Sequence, residues 1–116
     1  MDEWLCLFTL AMLIALFVVR CCHCSSVGIG TTLVPHCDFA FAAPSAYFWT
    51  PFSRIAVVPE FASTILFPEI MGTSLANEML LLGRRMDVET AVKCGFVSAV
   101  VPAEALLEKV RERSEC

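Results

Sequence analysis

Val27-Gly28-Ile29-Gly30-Thr31-Thr32-Leu33-Val34-Pro35-His36 is the stretch on which the reading of this chain turns. Glycines on either side of Ile29 mark a tight entry into a short helix. Pro35 has no amide donor and crowds the preceding turn, so the helix is expected to end between Val34 and His36. Main-chain amides at such an entry can receive a developing oxyanion. Further along comes Val57-Val58-Pro59-Glu60-Phe61, with a single carboxylate among apolar neighbours. If that segment folds inward, Glu60 loses hydration, which disfavours its charged form and suits a group that moves protons near neutral pH. Pro59 also predicts a helix start with Glu60 in its first turn, where the helix dipole acts in the opposite sense. Each feature has a plain counterpart: an ordinary glycine turn for the first, and an acid satisfying a helix end for the second.

Between these two points the pattern alternates. Asp38 to Ala42 and Ala46 to Thr50 read as short strands, with Ala43-Pro44-Ser45 as the turn between them. Two such strands would aim the loop Pro51 to Pro59 at the Gly28 entry. The aromatics Tyr47, Phe48 and Trp49 suit core packing more readily than an acyl pocket. Beyond Glu60, the apolar run Phe61 to Met71 is interrupted by Pro68. A helix capped by Ser74 is expected to run to Leu82 and stop at Gly83. Asp87 caps Val88 to Cys94, Gly95 ends that helix, and Phe96 to Val101 reads as a strand. Pro102 opens a last amphipathic helix, with Leu106, Leu107 and Val110 on its apolar side. Arg84-Arg85 reads as a solvated turn, with contact to a phosphate as the sharper alternative. Short strands alternating with helices give an α/β fold class.

The chain has 116 residues, enough for one domain, and a net charge of −4 with no basic cluster, which argues against a nucleic-acid partner. Its hydrophobic fraction of 58% calls for cover by membrane or partner. Seven cysteines without framework spacing fit a reducing compartment better than a disulfide scaffold. From Trp4 to Val19 no residue is charged. Drawing in Cys21, Cys22 and Cys24 makes a segment over 4–24 that just reaches the length of a membrane-inserted helix. Residues 1–26 are therefore set apart from a domain over 27–116, with a foreign, merely hydrophobic stretch as the plain alternative. Cys21 and Cys24 have the spacing of half a zinc site, but no second pair comes after them, so no metal is expected there. Juxtamembrane acylation fits these thiols better than zinc does, and unmodified thiols fit better than either.

Several blocks in order carry a resemblance: Val27 to Asp38, then Phe48-Trp49-Thr50-Pro51-Phe52-Ser53, Pro59-Glu60, and Phe67-Pro68-Glu69-Ile70-Met71-Gly72. Ala76 to Arg85, Glu89-Thr90-Ala91 and Gly95 to Val100 continue it. Together they resemble the crotonase (enoyl-CoA hydratase/isomerase) superfamily, in particular its Δ3,Δ2-enoyl-CoA isomerase branch and the related chromodomain Y-like proteins. The resemblance covers the middle of such a domain and implies a partial crotonase-like fold.

The roles of individual residues are implied by the resemblance alone. Glu60 is the catalytic base and acid, shifting a proton from C2 to C4 of a 3-enoyl-CoA to give the trans-2-enoyl isomer in fatty acid β-oxidation. The Ile29 amide is one oxyanion donor, with Gly28 and Phe52 at the substrate. A CoA thioester is the substrate, and no cofactor is required. The hydratases' two glutamates fall on Thr32 and Phe52, so hydration is disfavoured. The second oxyanion donor belongs to an upstream loop with no counterpart before Val27, and closing helices are missing, so weak or no activity is expected of this chain alone. A non-catalytic acyl-CoA or protein-interaction module and a small membrane-anchored relic are the alternatives. The family's usual homo-oligomer and its peroxisomal or mitochondrial address are also implied, although no targeting signal matches them.

Overall fold

The computed structural model describes residues 19–22 and 25–114. Strands β1 (Val19–Cys22), β2 (Ser25–Val27), β3 (Phe39–Ala42) and β4 (Tyr47–Trp49) come first, with a short helix α1 (Ile29–Thr32) and a 3-10 turn (Val34–His36) between β2 and β3. Helices α2 (Ser63–Met71) and α3 (Thr73–Leu80) lead into β5 (Arg85–Asp87), α4 (Val88–Lys93), β6 (Ala99–Val100) and α5 (Leu106–Ser114).

The strands form two three-stranded sheets, β1-β3-β6 and β2-β4-β5. Val19 lies beside Phe39 and Ser25 beside Tyr47, both in parallel pairs. The chain thus visits each sheet once, then returns through helix and turn to lay the next strand alongside the last. β6 adds to β3 in parallel, whereas β5 runs antiparallel to β4 with Met86 opposite Phe48. Ala40, Phe41 and Ala42 of β3 are all buried, as a strand covered on both faces must be.

The larger core joins Phe48, Phe52, Phe67, Met79, Met86 and Phe96, among others. Phe96 meets Phe48 and Phe67 edge-on, with ring centroids 5.2 and 5.4 Å away. A smaller core under α5 gathers Phe41, Ala43, Val101 and Leu106.

Several expectations need correction. The N-terminal helix over 4–24 is not what the described part shows, because Val19–Cys22 is a strand paired with β3. A short apolar run cannot be told from a buried parallel strand by periodicity, and partner strands decide it. Sheet pairing therefore reaches back before Val27, across the boundary drawn at residue 26. Among the described residues no helix is long and apolar enough to cross a membrane. The rest of the 4–24 segment, and the thiols of the Cys21–Cys24 motif, lie outside what is described. Ser74 caps nothing: the helix starts at Thr73 after Gly72, without a side-chain cap. Pro68 sits inside α2 instead of breaking it. Arg85 belongs to a strand, not a turn, with Met86 as the buried member of an exposed-buried-exposed triplet.

Candidate active site

The entry to α1 is built on Gly28, whose φ of 57° and ψ of −123° lie where a side chain is strained. This twist turns the next peptide so that the Ile29 amide leads the helix. Gly28 itself donates to the Trp49 carbonyl at 2.8 Å, tying the entry to β4. Its carbonyl then accepts from the Thr31 and Thr32 amides at 2.9 and 3.1 Å. No acceptor among the described residues takes the Ile29 amide. Among the described residues, a Cβ placed on Gly28 would meet nothing within 4 Å. The Ile29 side chain is itself exposed.

Thr31 fastens this corner from beneath. Fully buried, it donates from Oγ1 to the Ser26 carbonyl and accepts from the Trp49 amide at 3.2 Å. Thr32 is equally buried, and its hydroxyl lies 3.4 Å from the Ile29 carbonyl of its own helix. Phe52 is also buried, within the larger core. Neither Thr32 nor Phe52 carries a carboxylate.

Glu60 departs from expectation in two ways. It is exposed, and it lies ahead of α2, which begins only at Ser63, in a turn closed by the Ser63 amide on the Glu60 carbonyl at 3.0 Å. The apolar neighbours meant to dry it are turned outward themselves: Val57 is 45%, Val58 78% and Phe61 46% exposed. Left-handed backbone at Ala56, Phe61 and Ala62 turns the chain here. Among the described residues no hydrogen-bond or ion-pair partner meets the Glu60 carboxylate.

Sequence reasoning missed how this loop is held. His36, closing the 3-10 turn after α1, donates from Nε2 to the Phe61 carbonyl at 2.8 Å. Its ring meets the Phe61 ring edge-on at 5.0 Å. The loop carrying Glu60 is thereby tied to the 3-10 turn that follows α1. Twenty-five positions separate the partners, and no local pattern announces such a contact. Arg84 pairs with Glu78 at 2.7 Å, while Arg85 lies over the Tyr47 and Trp49 rings at 4.9 and 4.8 Å.

The chain matches the Enoyl-CoA hydratase/isomerase family over residues 2–116. It belongs to that family. Among its relatives, the mouse enoyl-CoA delta isomerase 3, a peroxisomal protein, is 40% identical over 88 residues, 76% of this chain and 28% of the relative. Chromodomain Y-like protein 2 of Mus musculus is 35% identical over 95 residues, 78% of this chain and 19% of the relative. The enoyl-CoA hydratase/isomerase of Pseudoalteromonas atlantica T6c superposes with a TM-score of 0.76 at 35% identity, covering 79% of this chain and 37% of that one. This family member therefore spans between about a fifth and two fifths of the length of these relatives.

Proposed function

We propose that this chain carries an enoyl-CoA delta isomerase-type site, in which Glu60 moves a proton between C2 and C4 of a 3-enoyl-CoA. The Ile29 amide would receive the thioester oxygen as negative charge develops on it, and the Gly28 turn would leave room for the substrate. One observation carries the choice of isomerisation over hydration: Thr32 and Phe52, where hydratases of the resembled family place carboxylates, bear none, and both are buried. These two positions thus supply no carboxylate to activate water. An acyl chain laid over Val57, Val58 and Phe61 would exclude water from Glu60 and supply the desolvation that its present surroundings lack. The peroxisomal compartment in the mouse relative's name supports a place in peroxisomal or mitochondrial fatty acid β-oxidation.

The test compares isomerisation of a 3-enoyl-CoA with hydration of a 2-enoyl-CoA. Isomerisation should dominate, and Glu60→Gln should lower it about 10²–10⁴-fold. Unchanged turnover in that variant removes Glu60 from the reaction.

The exposure of Glu60 favours a second reading, a non-catalytic acyl-CoA or protein-interaction module. Saturable acyl-CoA binding without turnover, insensitive to Glu60→Gln, would select it.

A further inference from the structure

The residue after Glu60 is held in an unfavourable conformation, and something must hold it there. Phe61 has φ 55° and Ala62 φ 56°, two consecutive non-glycine residues in the left-handed region. For a bulky side chain such as Phe61 this is a genuine outlier, which persists only where surrounding contacts over-determine it. Phe61 is 46% exposed, so core packing does not supply that constraint. From the α2 side the Ser63 amide holds the Glu60 carbonyl and the Ile65 and Leu66 amides hold that of Ala62; from the other side the contact is His36. Its Nε2 is 2.8 Å from the Phe61 carbonyl, and its ring stands at 87° to the Phe61 ring with centroids 5.0 Å apart. One side chain thus grips both the main chain and the side chain of the residue next to Glu60.

His36 is itself well anchored. Its amide donates to the Leu33 carbonyl at 3.1 Å, and the Leu33 amide donates to the Ile29 carbonyl at 3.0 Å, which chains it to α1. The latch therefore ties the turn that follows α1 to the loop that carries Glu60. For the bond to form, Nε2 must carry the proton.

We infer that His36 is a positioning residue that holds the Glu60 loop in its left-handed turn against the Ile29 corner, by an Nε2–H bond to the Phe61 carbonyl. The inference rests on the proton-transfer reading of Glu60 for its consequence in catalysis, but the latch itself can be measured without turnover.

The experiment uses the full chain as wild type, His36→Ala and His36→Gln. Hydrogen exchange at the Val57 and Ser63 amides, which close this loop on the Phe52 and Glu60 carbonyls, should quicken about tenfold in His36→Ala, the scale of one lost hydrogen bond, with exchange in the β3 and β4 amides unchanged. His36→Gln, whose amide can reach the same carbonyl, should restore protection. Nitrogen NMR of His36 should show the proton on Nε2. With 3-enoyl-CoA, His36→Ala should lower kcat at least tenfold with KM little changed, because the base is misplaced while the binding surface remains. Equal exchange at the Val57 and Ser63 amides in wild type and His36→Ala, or a proton on Nδ1 alone, overturns the latch. An intact exchange result with a wild type that does not isomerise supports the latch and retires the catalytic reading of Glu60. A kcat that is unchanged in His36→Ala, in an active wild type, overturns the positioning role.

Discussion

Thr31 and Trp49 join the two halves of the Gly28 corner: the Trp49 amide donates to Thr31 Oγ1 at 3.2 Å while the Thr31 hydroxyl donates to the Ser26 carbonyl. A fully buried hydroxyl of α1 thus stitches β2 to β4 just where their strand pairing ends. Thr31→Val keeps the shape and removes both bonds, leaving main-chain groups without partners. The expected loss is about 1–3 kcal/mol, read by urea denaturation. A variant as stable as the wild type would show the bridge to be incidental.

Gly28→Ala tests the turn itself. Because the added methyl meets nothing within 4 Å, any cost comes from the backbone at φ 57° and ψ −123°. That cost should be about 1–3 kcal/mol, and relaxation of the turn should also swing the Ile29 amide away. If that amide receives the thioester oxygen, isomerisation should fall about 10²–10³-fold. A stability loss without any effect on turnover would remove Ile29 from the site.

Asp87 caps α4, accepting from the Thr90 amide at 2.7 Å. That bond, then the Thr90 side chain, and more weakly Lys93, hold its carboxyl below the ordinary value of 3.8 against a small opposing effect of burial. A carboxyl depressed in the folded state stabilises the fold fully above its unfolded value, and the contribution is lost as pH falls through the folded one. Acid unfolding should therefore steepen below about pH 4. Asp87→Asn, which keeps a capping oxygen, should flatten this acid limb. Asp87→Ala should cost about 1 kcal/mol near neutral pH. Identical acid limbs in wild type and Asp87→Asn would contradict the assignment.

Ala56 sits at φ 53° and is exposed. Glycine adopts that conformation without penalty, whereas alanine does so at a cost of about 1–2 kcal/mol, partly offset by the greater freedom of an unfolded glycine. Ala56→Gly should raise the unfolding midpoint by a stability gain of up to about 1 kcal/mol, and a drop would place the turn under other constraints.

Much of the fold was legible where local chemistry decides it. Asp87 as a cap, Pro35 near the end of α1, and the strands at Phe39–Ala42 and Tyr47–Trp49 could all be read from residues within a turn of one another. The hidden elements depend on partners far along the chain. Val19–Cys22 becomes a strand only beside β3, and Met86 reveals β5 only by lying across from Phe48. The same holds at the site. The Gly28 turn could be read directly, because φ is a property of one residue. The solvation of Glu60 could not, since apolar neighbours dry an acid only if the chain folds them over it, and left-handed turns at Ala56, Phe61 and Ala62 carry them outward.

The Trp49 indole donates to the Gly83 carbonyl at 2.9 Å and is flanked by Arg54 and Arg85. Its neighbours therefore come from the loop that leads to Glu60, the link between α3 and β5, and β5 itself. With Trp4 replaced by phenylalanine, a single tryptophan would remain. Its emission would report, in real time and without any added label, whether these three segments part together or one after another.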